Sequence, residues 1–335
     1  MIKYDKIWCK NSNPRVKEFD FFGTHFSGSN PDWEATILDW KFSMNSSFLI
    51  LFDTNLKYMC YNEAIGVNNM SKVNKYESLV KSYYNNYTED ERLRTRKSHR
   101  IEYITTMHYI KKFAKRGCKI LEVGAGTGVY SVELAKMGYD VTAVDLVESN
   151  VEVLKKNAEG VKNIKCLQGD ALDLSRFKDN EFDIVLNLGP MYHLYTTRDK
   201  NKAIAETLRV CKNSGICMFA YLTHSSTFWS IGIVKKKIKY LSEFMTNTGV
   251  IKDVPEEIFC SYFNEDFNKQ FAKTKSVHIT SVATDGLAQI MREYMDREDF
   301  TEEEYDLFIK WHLATCERLD HQGLSSHMLY ICKKD

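Results

Sequence analysis

The arrangement of apolar runs between residues 118 and 222 constrains the fold more than any other feature of this sequence. Short runs with strand character lie at 118–123, 140–144, 164–168, 182–188 and 216–222. Segments with a helical pattern separate several of them, at 129–137, 149–158 and 200–211. Strands joined through helices form right-handed βαβ units, and the parallel sheet that results is covered by helices on both faces.

Two further strand-like runs follow, at 276–283 and 326–332. Together with the earlier runs they predict an α/β fold, a doubly wound and mostly parallel seven-stranded sheet. The segments 223–275 and 285–323 are too long to be structureless loops in a compact domain. We expect both to be helical insertions that cover the carboxyl edge of the sheet as a lid.

Residues 1–69 differ in composition from the rest of the chain. They are rich in aromatic residues, Asn and Ser, and show no clear periodicity. Met70, followed by Ser-Lys, would make a plausible start of its own. We therefore interpret 1–69 as an N-terminal appendage of unknown role and 70–335 as the functional domain.

Composition excludes several classes of protein. Lys and Arg exceed Asp and Glu by 46 − 45 = +1, and 44% of the 335 residues are hydrophobic. Such a chain is not disordered, and its near-neutral charge argues against a broad nucleic-acid-binding face. The longest apolar runs are too short to cross a membrane, and no secretory signal is visible. The composition makes no prediction of oligomeric state.

The cysteines indicate a compartment. Nine are present, an odd number, and no C-x-x-C pair occurs. This pattern fits neither a disulfide framework nor a zinc site. We therefore expect buried thiols, a cytoplasmic protein and no metal.

A glycine-rich loop follows the first strand of the alternation. Gly124, Gly126 and Gly128 lie between that strand and a helix, where tight turns and exposed N–H groups can hold a carboxylate or phosphate. The third glycine falls one place earlier than in the dinucleotide-binding pattern G-x-G-x-x-G. Glu122, just before the loop, suits a cationic ligand and would crowd a pyrophosphate. The loop thus disfavours a nicotinamide dehydrogenase.

Polar residues also end the following strands. The second strand ends at Asp145, where a carboxylate can accept both hydroxyls of a ribose. Asp170 follows the third strand and Asn187 ends the fourth. Because the carboxyl ends of parallel strands meet at one edge, we expect these side chains near a ligand site there.

Taken in order, these motifs resemble those of class I S-adenosylmethionine-dependent methyltransferases. The resemblance rests on E-V-G-A-G-T-G at 122–128, Asp145, G-D-A at 169–171 and the strand at 182–188. The run N-L-G-P-M-Y-H-L at 187–194 is similar to one in a subgroup of small bacterial methyltransferases. The resemblance covers about 75–335 and implies the cofactor S-adenosyl-L-methionine.

The resemblance also implies residue roles. Glu122 and the loop would hold the methionine end of the cofactor, Asp145 the ribose, and Asp170 the adenine amino group. Leu146 would pack on the adenine. Independently of the resemblance, aromatic faces can stabilise the positive sulfur, and Tyr83, Tyr84 and Tyr192 are the candidates. The full set of implied cofactor-binding residues is Tyr84, Glu122, Gly124, Ala125, Gly126, Gly128, Asp145, Leu146, Asp170, Ala171, Asn187 and Leu188.

The catalytic residues are predicted from position alone. An activated methyl donor needs mainly alignment and exclusion of water, but a hydroxyl or amine acceptor benefits from a base. His193 lies just past the fourth strand and is the candidate base, with Tyr192 beside it; His224 is a weaker alternative. A core histidine is the competing interpretation of His193.

The acceptor class follows from the insertions. The first insertion, 223–275, is rich in aromatic residues, which favours an enclosed pocket for a small organic molecule. We therefore predict a methyltransferase that acts on an O, N or C atom of a small molecule. The alternatives are an RNA or protein methyltransferase, and a module that binds S-adenosylmethionine without turnover.

Overall fold

The computed structural model describes residues 80–83, 93–252, 254 and 258–335. All of them belong to one structural unit, which runs from Gly66 to Asp335. The appendage predicted at 1–69 and the predicted site residue Tyr84 lie outside the described residues. The domain boundary at residue 70 therefore stays a prediction.

The strands of the described part form one sheet. They are β1 (Lys119–Val123), β2 (Asp140–Asp145), β3 (Ile164–Gln168), β4 (Phe182–Asn187), β5 (Cys211–Thr223), β6 (Ser261–Tyr262), β7 (Ser276–Ala283) and β8 (His327–Lys334). Their order is β3-β2-β1-β4-β5-β8-β7, with β6 paired to the end of β5. Strands β1 to β5 are parallel, and β8 runs antiparallel to both β5 and β7. The predicted doubly wound, mostly parallel α/β sheet is confirmed.

Helices cover this sheet. They are α1 (Lys97–Phe113), α2 (Val129–Lys136), α3 (Glu148–Asn157), α4 (Thr197–Val210), α5 (His224–Thr227), α6 (Ile238–Ser242), α7 (Asn264–Lys269), α8 (Arg292–Met295), α9 (Glu302–Thr315) and α10 (Leu319–Gln322). A 3₁₀ turn spans Pro190–Tyr192, and a π-helical segment spans Phe228–Val234. Because both faces are covered, the central strands are almost continuously apolar, and Leu121, Val185 and Leu186 are fully buried.

The strand register shapes the carboxyl edge. Val123 at the end of β1 pairs with Asn187 at the end of β4, and Asn187 pairs with Phe219 of β5. Strand β5 continues beyond that level to Thr223, where β6 and the start of β8 join it. At this edge, β1 and β4 therefore end first, and the end of β5 projects beyond them together with the start of β8.

The two predicted insertions carry structure. The first, 223–275, holds α5, the π-helical segment, α6 and α7, as expected, and also β6, which the sequence analysis did not predict. The second, 285–323, holds α8, α9 and α10, and α9 begins with a capping box formed by Thr301 and Glu304. Within the described ranges, no helix has the length and apolar character needed to cross a membrane.

Candidate functional site

A cavity of about 210 Å³ opens at the carboxyl edge of the sheet. The ends of β1 to β4 and the first turn of α4 surround it. The predicted residues that line it are Gly124, Gly126, Asp145, Leu146, Asp170, Ala171, Tyr192 and His193. The structure therefore brings most of the predicted cofactor and catalytic residues to one hollow.

Other predicted residues lie behind the cavity wall. Of the predicted cofactor and catalytic residues that the structure describes, those that do not line the cavity are Glu122, Ala125, Gly128, Asn187 and Leu188. Asn187 is fully buried, and its amide donates to Thr207 Oγ1 of α4 at 3.1 Å. His224 lines a separate cavity beside β6 and α7.

The glycine loop is held by the neighbouring strand and by the segment after β4. The N–H groups of Gly124 and Ala125 both donate to the carbonyl of Val144, at 2.8 and 3.0 Å. A Cβ atom on Gly124 would lie 2.6 Å from Pro190 Cδ, and Gly124 has a φ of 76°. The glycine at 124 is thus required by the contact with Pro190 as well as by the turn.

The third glycine of the loop serves helix packing. Gly128 has a φ of 89°, and a Cβ atom there would lie 2.1 Å from Leu154 Cδ1 of α3. This glycine lets α2 and α3 approach each other behind the cavity. Its place in the motif reflects packing and backbone conformation, and a ligand contact is not needed to explain it.

The carboxylate of Asp145 accepts three hydrogen bonds in the cavity wall. Its Oδ2 accepts from Gly126 N at 2.7 Å, and its Oδ1 accepts from Val147 N at 2.9 Å and Asn150 Nδ2 at 3.1 Å. Burial raises the pKa of the Asp145 carboxyl, and these three donors oppose that rise. Among the described residues, Oδ2 accepts from Gly126 alone, so it retains capacity to accept from a hydroxyl.

Glu122 lies behind the glycine loop and is 1% exposed. Burial raises the pKa of its carboxyl to about 8, hydrogen bonds from the hydroxyl and N–H of Ser131 lower it, and the negative charge of Asp145 raises it. Ser131 lies in the first turn of α2. At neutral pH the carboxyl is therefore mostly protonated, and it ties β1 to the start of α2.

Asp170 combines a structural and a site position. Its Oδ1 accepts from Leu172 N at 2.9 Å, the pattern of an Asx turn, and the residue also lines the cavity. Ala171 and Leu172 supply apolar surface beside it. The Asx turn at Asp170 therefore forms part of the cavity wall.

His193 is held by the first insertion. Its Nδ1 lies 3.0 Å from the carbonyl oxygen of Ile258, and a carbonyl only accepts, so Nδ1 carries the ring proton. Burial lowers the pKa of His193 to about 4, and the bond to Ile258 only partly offsets it. The ring is therefore neutral and weakly basic at neutral pH. The base role predicted from the sequence stays a prediction.

The comparison with known families decides the class of this domain. Residues 121–219 match the family model described as a methyltransferase domain. Residues 121–219 are a methyltransferase domain. The family that the motifs resemble is thereby confirmed for this part of the chain.

Two curated relatives match the methyltransferase domain and its surroundings. The glycine/sarcosine N-methyltransferase of Aphanothece halophytica is 32% identical over 114 residues, which are 32% of this chain and 42% of that protein. The ubiquinone biosynthesis O-methyltransferase of Rickettsia akari (strain Hartford) is 27% identical over 164 residues, 48% of this chain and 62% of that protein. The chain thus spans about half the length of these relatives.

The chain also aligns with a solved structure. The methyltransferase of Methanosarcina mazei that is described as S-adenosylmethionine-dependent aligns with a TM-score of 0.45 and 16% identity. The alignment covers 68% of this chain and 96% of that one.

Several residues that line the cavity of the methyltransferase domain were not predicted. Asn150 donates to the Asp145 carboxylate and fixes it. The sequence pattern that could have pointed to Asn150 is an amide residue in the first turn of a helix that follows a strand ending in an acidic residue. Thr196 and Asp199 form an N-cap interaction at the start of α4, with Thr196 Oγ1 accepting from Asp199 N at 3.1 Å. The spacing T-x-x-D is a capping signal visible in the sequence. Val80 and Val147 carried no such signal.

Proposed function

We propose that this chain is an S-adenosyl-L-methionine-dependent methyltransferase that acts on a small molecule. One observation supports the proposal above the others. The carboxylate of Asp145 is fixed by the glycine loop at the wall of a cavity on the carboxyl edge, next to Asp170 and Ala171. Open α/β sheets bind nucleosides at this edge.

The residues present fit an adenosyl group. Asp145 Oδ2 has capacity for a ribose hydroxyl, and Leu146, Ala171 and Leu172 give apolar surface for a purine. Asp170 adds an acceptor beside that surface. Tyr84, outside the described residues, belongs to the proposed site as well. Ala125, Gly128, Asn187 and Leu188 do not line the cavity and belong to the proposed site through the loop and the end of β4.

Glu122 has an indirect place in the proposed site. It does not line the cavity, and its carboxyl contacts Ser131 at the start of α2. A cationic group bound over the loop would favour the ionised carboxylate, since opposite charges attract across a poorly solvated wall. We therefore propose that the carboxyl group of Glu122 ionises when a positive ligand binds, and that it positions α2.

When bound, S-adenosyl-L-methionine supplies a methyl group on a positively charged sulfur. The residues of the chain orient the acceptor and exclude water from it. Tyr192 lines the cavity, and its hydroxyl donates to the carbonyl of Leu188 at 3.0 Å, which fixes the ring. That ring provides an aromatic surface for a positive group.

The proposed acceptor is small, and nucleic acid is not proposed as a partner. The near-neutral charge of the chain supports this choice. The names of the two relatives specify an N- and an O-methyltransferase, so both amine and hydroxyl acceptors belong in a test. A cytoplasmic location is proposed as well, supported by the free thiols of all the cysteines that the structure describes.

Calorimetry tests the cofactor directly. We expect S-adenosylmethionine and S-adenosylhomocysteine to bind with a 1:1 stoichiometry and NAD not to bind. Binding of NAD alone, or of none of the three, would overturn the proposal.

Turnover tests the enzyme. Mass spectrometry would follow S-adenosylhomocysteine formed with glycine, sarcosine and catechol as probe acceptors. Product above the acceptor-free rate with one of them supports a small-molecule enzyme. Tight cofactor binding with no product in this panel, and methylation of added RNA or protein instead, would favour the macromolecular alternative.

A further inference from the structure

The first insertion contains an unbroken stretch of exposed residues, 233–239, at the end of the π-helical segment and the start of α6. We call it the exposed turn. Its sequence is I-V-K-K-K-I-K, three aliphatic residues among four lysines. Ile233 is 42% exposed, Val234 37% and Ile238 44%. Single exposed aliphatic residues are common on protein surfaces, but a group of them inside a basic cluster indicates a contact surface.

The exposed turn has a defined backbone. The N–H groups of Lys235 and Lys237 donate to the carbonyls of Ser230 and Ile231, at 3.0 and 3.1 Å. Behind the turn lies a small apolar cluster of the insertion, formed by Ile231, Leu241, Ile251 and Val254. None of the three aliphatic residues of the exposed turn belongs to this cluster. Their side chains are therefore available for a partner.

The positive charge of the exposed turn is not neutralised by neighbouring acids. No Asp or Glu occurs between residues 223 and 242. Within the part of the chain that the structure describes, Lys236, Lys237 and Lys239 form no ion pair, although Lys237 Nζ lies 5.9 Å from the ring centroid of Tyr240. Lysines so close together repel one another in water, and an anionic partner relieves that repulsion.

The backbone conformation at Lys236 also indicates a use for the charge. Its φ is 56°, in the left-handed region that favours glycine. Its N–H donates to the carbonyl of Ile233 at 3.1 Å, which closes the turn. A glycine would adopt this conformation without strain, and the chain has a lysine there instead. Strained residues of this kind occur most often where a side chain serves binding.

We propose that the exposed turn docks on a lipid surface that carries anionic headgroups. The lysine ammonium groups pair with lipid phosphates and carboxylates in the headgroup layer. Ile233, Val234 and Ile238 enter the boundary between headgroups and acyl chains, as the apolar side chains of interfacial segments do. The proposal goes beyond methyl transfer and does not depend on it. It agrees with the proposed cytoplasmic location, because the cytoplasmic leaflet is negatively charged.

The composition of the exposed turn favours lipid over RNA. Single-stranded RNA is bound largely by stacking of its bases on aromatic rings and on the guanidinium group of Arg. The exposed turn has neither, and the side chains of Ile and Val cannot stack on a base. Lysines whose apolar stems lie beside aliphatic residues are typical of segments at a membrane interface.

Other exposed apolar residues do not share this setting. Leu307 and Trp311 of α9 are 60% and 43% exposed. Their helix begins with Glu302, Glu303 and Glu304. An anionic lipid surface repels these carboxylates, so α9 is not part of the proposed docking surface. Its exposed leucine therefore serves as a control.

Sedimentation with lipid vesicles tests the proposal on the full chain. We expect the protein to pellet with phosphatidylcholine vesicles that contain about one-third phosphatidylserine, and not with phosphatidylcholine alone. Raising the salt concentration from about 0.1 M to about 0.5 M should weaken binding at least tenfold, because exposed charges are screened. No binding, equal binding to both vesicles, or binding that salt does not weaken would each overturn the proposal.

Removal of the charges tests the role of the lysines. We expect the combined variant Lys236→Gln, Lys237→Gln and Lys239→Gln to lower the partition coefficient at least 30-fold, since each lysine near an anionic surface contributes about fivefold. The matched control replaces three exposed lysines outside the insertion, Lys155, Lys156 and Lys162, with Gln and should change it at most threefold. Equal losses in the two variants would show that net charge alone matters and would overturn the proposal.

Removal of the aliphatic side chains tests their insertion. We expect Ile233→Gln combined with Ile238→Gln to lower the partition coefficient at least tenfold and to keep the salt dependence. The control, Leu307→Gln combined with Leu319→Gln, replaces two exposed leucines elsewhere and should change it at most twofold. Unchanged binding of the isoleucine variant would overturn the insertion. Circular dichroism checks that each variant is folded, and the vesicle and salt dependence of the unsubstituted protein decide the proposal if one is not.

Fluorescence anisotropy with a labelled single-stranded RNA distinguishes the other polyanion. We expect weaker binding to RNA than to the mixed vesicles. RNA binding more than tenfold tighter, lowered by the lysine variant and untouched by the isoleucine variant, would overturn docking on lipid. A protein that binds no S-adenosylmethionine ends the proposed function, and the vesicle experiments decide the docking surface independently of that result.

Discussion

Pro190 packs directly on Gly124, so closely that a Cβ atom at residue 124 would lie 2.6 Å from Pro190 Cδ. The contact joins the glycine loop after β1 to the segment after β4. Both residues line the cavity.

Gly124→Ala tests this contact. The φ of 76° costs an alanine about 1–2 kcal/mol, and the clash with the proline ring adds a displacement of the cavity wall. We expect the affinity for S-adenosylmethionine, measured by calorimetry, to fall at least tenfold. Gly138→Ala is the control, because Gly138 has a φ of 93° and no heavy atom within 4 Å of the added Cβ. Equal losses of affinity in the two variants would show that the Pro190 contact is unimportant.

Asp145→Ala tests the ribose position. The change removes an acceptor from the cavity and leaves the N–H groups of Gly126 and Val147 without it. We expect cofactor affinity to fall more than tenfold and the free energy of unfolding to fall by about 1–3 kcal/mol. Asp140→Ala, at the exposed opposite end of β2, serves as the control. An unchanged dissociation constant in Asp145→Ala would remove Asp145 from the site.

The raised pKa of Glu122 predicts that the stability of the protein depends on pH. Its folded-state pKa of about 8 exceeds that of an unfolded glutamate, about 4.3, so the folded protein holds an extra proton between these values. This group therefore makes the free energy of unfolding fall as the pH rises from about 5 to 8. Relative to Glu122→Gln, we expect the free energy of unfolding to fall by about 2–3 kcal/mol between pH 5.5 and pH 7.5, since each pH unit corresponds to about 1.4 kcal/mol.

Urea unfolding of both proteins at the two pH values measures this difference. Glu159→Gln, on the surface after α3, controls for the general effect of removing one carboxylate. Parallel pH dependences for the original protein and Glu122→Gln would contradict the raised pKa.

His193 is expected to remain neutral over the physiological range. Burial lowers its pKa to about 4, so its ring signal in NMR spectra should not titrate between pH 5 and pH 8. His193→Gln identifies the signal by its absence. The pH profile of methyl transfer should keep its shape in this variant. A profile whose inflection disappears in His193→Gln would instead restore the base role that the sequence analysis gave to this residue.

The sheet was predictable because its signal is local. Strands β1 to β5 were each predicted from a short apolar run, and β3 and β7 coincide with the predicted ranges to the residue. Strand β6 was missed because two residues carry no periodic pattern. Strand β5 starts at Cys211, earlier than the predicted start at residue 216, and includes a positive φ of 63° at Ser214.

The candidate site was only partly predictable. The polar strand ends Asp145 and Asp170 line the cavity, because strand order alone brings them to one edge. The environment of His193 depends on Ile258, which is distant in sequence. Motif spacing does not encode such partners, so the burial and the carbonyl partner that make His193 a weak base were not visible in the sequence.

The segment after β4 is bound to the first insertion at several points. Cys260 N donates to Tyr192 O at 2.8 Å, Tyr262 Oη donates to Met191 O at 3.0 Å, and His193 donates to Ile258 O. Exchanging the insertion to change the acceptor would therefore also disturb the wall that the donor faces. Substrate range and donor affinity are mechanically linked here, and an engineered graft has to carry both stretches of chain together.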